Sequence, residues 1–278
     1  MDNIELSVEF FPPQTPEGAE KLRATWTKLA ALKPTFFSVT FGAGGSTQDR
    51  TFDTVAEIRA AGLPAAPHLS CIGSTRERIR EILQRYRDAG IRRIVALRGD
   101  LPSGMAEPGE LRYANELVEF IRKETGDWFR IEIAAYPEYH PQARNPGEDL
   151  ANFKRKADAG ADAAITQFFY NADAYEHFVA NARKAGVSIP IIPGIMPIAS
   201  FSKLSRFADN CGAEIPRWMR KQFEGYGDDA ASIRAYGLDV VTELCERLIK
   251  GGAPGLHFYT LNQASLTTDI VRRLGLNV

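Results

Sequence analysis

The sequence predicts an α/β fold, a single (β/α)8 TIM barrel with a short extra helix between strand 7 and strand 8, and three observations carry that prediction. Eight short apolar runs alternate with helical patterns along the chain. Such alternation makes a parallel sheet, and right-handed crossovers let eight units close into a ring. A glycine closes six of the helical patterns just before an apolar run, at Gly62, Gly90, Gly126, Gly160, Gly186 and Gly252, where a left-handed residue suits a helix exit. Their spacing is near that of one strand-plus-helix unit except from Gly186 to Gly252, so that interval holds an insertion. Finally, 278 residues is the size of one such barrel. An open, doubly wound sheet is the competing arrangement.

Residues Ile4 to Phe11 alternate apolar and polar side chains and stop at Pro12-Pro13, which reads as the first strand. Thr15-Pro16 supplies a cap and a first-turn proline for a helix running to about Leu32. Thr35 to Phe41 is the second strand. Ser46 with Asp49, Ser74 with Glu77, and Asn145-Pro146 with Glu148 open further helices, each after a strand. The remaining strands are Ala65–Ser70, Arg92–Leu97, Arg130–Ala135, Ala163–Phe168, Pro190–Ile195 and Leu256–Thr260. The insertion falls around Cys211 to Tyr226, where Pro216, Trp218 and Phe223 read as an extra short helix. No linker or low-complexity tract divides the chain, so residues 1–278 are expected to form one domain.

Composition narrows the function classes. Lys plus Arg total 34 against 35 Asp plus Glu, with no block of like charge. A sequence-independent grip on nucleic acid or an anionic membrane is not expected, and the expected partners are small molecules. Three widely spaced cysteines fit a reducing cytoplasm better than a disulfide framework. The acidic start shows no secretory signal. The most apolar stretch, Ile189 to Ile198, holds three prolines and is too short to cross a bilayer.

In a barrel of this kind the active face collects whatever ends each strand. The stretch Ile94 to Leu97 stops abruptly at Arg98, Gly99 and Asp100, which places a cation and a carboxylate at that face; an ordinary solvated strand exit is the bland alternative. Glu9, between Val8 and Phe10, belongs near the top of the barrel interior, where partial burial is expected to raise its pKa toward that of a general acid. A solvated glutamate is its alternative. His68 reads first as a satisfied core histidine, the commoner fate of such a residue, whereas His140, in a loop of aromatics and prolines, suggests a ligand contact. No lysine ends a strand, which argues against a Schiff base, and the four histidines have no chelating spacing, so no metal is expected. Gly42-Ala43-Gly44-Gly45-Ser46 has the setting of a phosphate cradle but lacks the third glycine of the dinucleotide fingerprint at Thr47. Asp149, Asn152, Arg155 and Lys156 line one helix face, either as a solvated stripe or as a grip on ribose and diphosphate. The aromatic runs at Gln167 to Tyr170 and Gly255 to Thr260 fit core or ligand.

Seven stretches, taken together and in order, resemble methylenetetrahydrofolate reductase. They are Ser7-Val8-Glu9-Phe10-Phe11-Pro12-Pro13, Ser38 to Ser46, Ala66-Pro67-His68-Leu69, Ala96-Leu97-Arg98-Gly99-Asp100, Ala135-Tyr136-Pro137-Glu138, Ile165-Thr166-Gln167-Phe168-Phe169 and His257-Phe258-Tyr259-Thr260-Leu261-Asn262. The resemblance implies a flavin-bearing eight-stranded barrel that reduces 5,10-methylenetetrahydrofolate to 5-methyltetrahydrofolate with NADH or NADPH. The implied cycle is a ping-pong hydride relay through bound FAD, in a cytoplasmic homo-oligomer that feeds methionine synthesis. On that basis Glu9 resembles the family's general acid, and Asp100 the carboxylate beside the flavin that also stabilises the cationic folate. Thr40, Phe41, Ala43, His68, Arg98, Gly99, Asp100, Ala114, Tyr136, His140, Ala143, Asp149, Asn152, Arg155 and Lys156 match positions that hold FAD. Gln167, Lys203, Phe207 and Gln263, with Asp100, match positions that meet substrate.

Four departures stand out. Gln263 replaces an expected arginine, Phe41 a common tyrosine and Lys203 an expected glutamine, and the Ser103 to Arg112 loop is slightly long. Without the guanidinium at 263 the folate's glutamate tail lacks its expected partner. With the resemblance running to the end of these 278 residues, neither a C-terminal regulatory domain nor adenosylmethionine feedback is expected.

Overall fold

The computed structural model describes residues 4–42, 47–100 and 109–276. Ala43, Ser46 and most of the Ser103 to Arg112 loop lie outside them. Among the described residues the chain runs β1 (Glu5–Phe10), α1 (Pro16–Ala30), β2 (Phe36–Val39), α2 (Gln48–Ala60), β3 (Ala65–Ser70), α3 (Arg76–Asp88), β4 (Arg93–Leu97), α4 (Ala114–Thr125), β5 (Arg130–Ala135), α5 (Pro146–Asp158), β6 (Ala163–Phe168), α6 (Ala172–Lys184), β7 (Ile191–Ile195), α7 (Phe201–Cys211), α8 (Arg217–Tyr226), α9 (Ala230–Lys250), β8 (Gly255–Tyr259) and α10 (Ser265–Arg273). The strands pair in parallel and in chain order, and β8 returns to β1 to close the barrel. The open sheet is thereby excluded.

Local chemistry explains most element boundaries. The side chain of Thr15 accepts from the amide of Gly18, and Asn145 accepts from Glu148. Both are side-chain caps at helices whose first turn holds proline. At α3 the cap is Thr75, which accepts from the Arg78 amide, and not Ser74. The α2 start falls at Thr47, whose hydroxyl accepts from the Gly42 amide and so ties the helix to the loop before it. All six exit glycines have positive φ, as a left-handed helix end requires. The insertion is the short α8, and the long α9 then makes the crossover to β8.

Two cores result. The larger one lies between strands and helices, and a small one of Phe36, Ala66, Val95 and Ile165 fills the barrel interior. At the amino end of the strands Arg93 lies over the Phe36 ring, 4.2 Å from its centre, and donates to buried Glu132 at 2.8 Å. That pair lies at the end of the barrel opposite the strand ends that carry the candidate residues. No described helix is long and apolar enough to cross a membrane.

Candidate active site

The carboxyl ends of the strands surround a cavity of about 370 Å³. Its lower wall is apolar, with Val95, Leu97, Ile133 and Ile165, while Thr40, Phe41, His68, Tyr136, Gln167, Phe207 and Tyr259 form its sides. Glu9 from β1 and Asp100 after β4 both open onto it. The two carboxylates therefore share one space.

Glu9 is held from several directions. Its carbonyl accepts from Thr260 Oγ1 at 2.8 Å, and its side chain is 15% exposed. Glu9 Oε2 lies 3.3 Å from His257 Nε2 and 3.2 Å from His68 Nε2. A carboxylate only accepts, so Nε2 of His257 carries the hydrogen, and its Nδ1 then accepts from Ser7 Oγ at 2.7 Å. His68 Nε2 is close but poorly aligned, and it is a buried nitrogen with no hydrogen-bond partner.

The sequence expectation for the acidity of Glu9 is corrected here. Burial does push its pKa up, but His68 and His257 together outweigh that and hold it at about 2. At neutral pH Glu9 is therefore a carboxylate. The folded pKa lies below the ordinary value of 4.5, so this ion contributes stability that is present above pH 4.5 and is lost as pH falls toward 2. In denaturant titrations the stability advantage of the protein over Glu9→Gln is expected to shrink across that window; a constant difference would mean the imidazoles do not stabilise the carboxylate.

Strand irregularity sets the opposite wall. Ile165 pairs with Ile192 but Phe168 pairs with Gly194, so β6 carries one extra residue there. Such a bulge re-aims a side chain, and Gln167 within it faces the cavity. Tyr259 spans the interior and donates to the Thr166 carbonyl at 2.6 Å.

The other expected positions sit apart from this cavity. Arg98 donates to Gln142 Oε1 at 2.7 Å, and the Gly99 carbonyl accepts from Arg98 Nε. Ala114 begins α4 and Ala143 donates its amide to the His140 carbonyl. His140 packs edge-on against Tyr136 and donates its amide to Asp149 Oδ2. Along α5, Arg155 bonds Asn152, and half-buried Lys156 donates to the Ala134 carbonyl at 2.5 Å. Burial lowers the Lys156 pKa to about 8 despite nearby Asp149. Lys203 and Gln263 are exposed and do not line the cavity. Among the described residues no group of three or more His, Cys, Asp or Glu is arranged to hold a metal.

Sequence reasoning gave no role to Ser7 or His257. Their signal was the two-residue period of a strand: Ser7 precedes Glu9 by one pleat, His257 precedes Tyr259 by one, and β1 pairs Ser7 with His257.

The sequence profile of the methylenetetrahydrofolate reductase family matches residues 1–275. The chain belongs to that family. It is 44% identical over 273 residues to a 5,10-methylenetetrahydrofolate reductase of Escherichia coli K12, a match covering 98% of this chain and 91% of that one. It is 37% identical to methylenetetrahydrofolate reductase (NADH) 1 of Arabidopsis thaliana, with 98% of this chain covering 48% of the plant protein. Among solved structures, a Clostridium thermocellum protein described as binding two copies of 5-methyl-5,6,7,8-tetrahydrofolic acid matches with a TM-score of 0.70 at 17% identity, over 99% and 95% of the two chains. Dihydropteroate synthase from Xanthomonas albilineans matches at 0.52 and 14%, over 100% and 94%. At these identities the structural matches speak to the barrel fold of this methylenetetrahydrofolate reductase family member.

Proposed function

We propose that the chain reduces 5,10-methylenetetrahydrofolate to 5-methyltetrahydrofolate, with NADH or NADPH as electron donor in a ping-pong cycle. The observation that carries this reading is the meeting of Glu9 and Asp100 on one cavity in a member of this family. The proposal extends to a cytoplasmic homo-oligomer in which residues 1–278 form one catalytic domain.

The residues fit FAD. A flat ring system suits the apolar lower wall, and the buried His68 ring beside Glu9 offers a donor or acceptor to the polar edge of such a ring. Thr40, Phe41, His68, Asp100 and Tyr136 would hold the ring. Arg98, His140 and the Asp149, Asn152, Arg155 and Lys156 face would hold the ribose and diphosphate, since guanidinium and ammonium groups pair with phosphate oxygens. Bound FAD would supply the two-electron hydride relay that no side chain here offers.

The chain's own residues do the rest. The apolar wall excludes water and so strengthens every charge in the cavity. Asp100, as an anion, stabilises positive charge developing on the folate. Glu9 takes up a proton from solvent as substrate enters and passes it to a folate nitrogen as the five-membered ring opens, while the hydrogen bond from His257 Nε2 keeps its carboxyl group oriented. Gln167 and Phe207 orient whichever substrate occupies the space, and Lys203, one turn before Phe207, is the cation assigned to meet the glutamate tail in place of an arginine at 263.

Anaerobic stopped-flow tests the reading. The purified protein is expected to be yellow, to bleach with NADH or NADPH, and to recover its colour with methylenetetrahydrofolate. A colourless protein that cannot be reconstituted with FAD would refute it. A flavin that bleaches but is not reoxidised by the folate would make the chain a binding protein instead.

A further inference from the structure

Glu138 is a charged side chain that the chemistry above does not use. It follows Tyr136-Pro137 in the loop after β5, and its Oε2 accepts the backbone amide of Glu214 at 2.8 Å, from the segment between α7 and α8. Its other oxygen, Oε1, is buried with no hydrogen-bond partner. A second contact joins the same two segments. Gly212, at the end of α7 with φ of 71°, sits so close to the β5 loop that an added Cβ would fall 2.8 Å from Pro141 Cγ. The end of α7 is thus fastened to the loop that carries Tyr136 and His140, and the helix so fastened presents Phe207 and Cys211 to the cavity.

We propose that Glu138 is a positioning residue: by accepting the Glu214 amide it locks α7 onto the β5 loop and so sets where Phe207 stands over the substrate space. The inference rests on the folate reductase reading. A carboxylate buried with one oxygen unmatched is a costly anchor if structure were its only purpose, since a neutral amide would accept the same bond. Burial pushes its pKa up to about 7, with the Glu214 carboxylate adding in the same direction. The titratable groups beside it are Tyr136, Tyr139 and Cys211, which line the small void between the two segments. The ionised form accepts the more strongly, so the lock is tighter above pH 7 and looser below.

The test is steady-state kinetics of the flavin-loaded protein and two variants, from pH 6 to pH 8. Glu138→Ala is expected to raise KM for the folate about tenfold, the loss of one charge-assisted hydrogen bond, with kcat changed less than twofold. Glu138→Gln, a neutral acceptor at every pH, should hold KM near the parent's low-pH value and abolish the rise in KM that the parent protein shows as pH falls through 7. An unchanged KM in Glu138→Ala overturns the proposal, as does a loss confined to kcat. Should the alanine variant fail to fold, the glutamine variant decides alone, because a pH dependence of KM equal to the parent's excludes the lock. A parent protein that never reoxidises with folate would instead sink the functional reading and leave this one without a reaction to position.

Discussion

Glu9→Gln is expected to slow folate reduction by roughly 10³-fold, the scale of a lost general acid, while electron transfer from NADH to an artificial acceptor persists. The amide keeps the shape of the carboxyl group and still reaches His257 Nε2, so the cavity and its contacts survive. What is lost is the ability to carry a proton to the folate. The low pKa of about 2 sharpens the prediction. An acid of that strength is not a proton reservoir at neutral pH, so its proton has to arrive during the cycle, from solvent or from the entering substrate. Separate measurement of the two half-reactions decides the matter. Equal loss in both would give Glu9 a role in holding the cofactor, not in protonation.

Gly194→Ala is expected to cost about 3 kcal/mol of stability, the upper range of overpacking in a tight interior, or roughly 6–12 °C in melting temperature for a domain of this size. An added Cβ at this position would lie 2.1 Å from the Thr166 carbonyl oxygen and 2.5 Å from Tyr259 Cε2. Neither can step aside freely. The carbonyl belongs to the neighbouring strand and accepts the Tyr259 hydroxyl, and the Gly194 amide itself donates to Thr166 Oγ1. The clash therefore pushes on the bulge that aims Gln167. Thermal unfolding followed by circular dichroism checks the stability, and an unchanged midpoint would show that β6 and β7 have slack that the packing does not suggest.

Much of the barrel was legible in the chain because its signals are local. The caps at Thr15 and Asn145, the glycine at each helix exit and the apolar runs between them each depend on a few neighbouring residues, and each stands where the sequence put it. The cap of α3 shows the limit of such reading. Ser74 and Thr75 are both good caps, and only the path of the backbone gives the Arg78 amide to Thr75. The candidate site was legible in part. Strand ends pointed to Glu9, Thr40, His68, Ser70, Arg98, Asp100, Tyr136, Gln167, Met196 and Tyr259; eight of these line the cavity, and Ser70 and Arg98 do not. Gln263 and Lys203 came from motif matching, and they stand exposed, where ligand binding and not folding would have to engage them.

The order of hydrophobic and polar residues was enough to establish eight strand-and-helix units and to place their polar ends on one face, because periodicity and capping are short-range. The acidity of Glu9, its Ser7 and His257 neighbours, and the fastening of α7 by Glu138 were settled only in three dimensions. They join residues from opposite ends of the chain or from different loops, and the energy of a buried charge is set by whatever closure brings beside it.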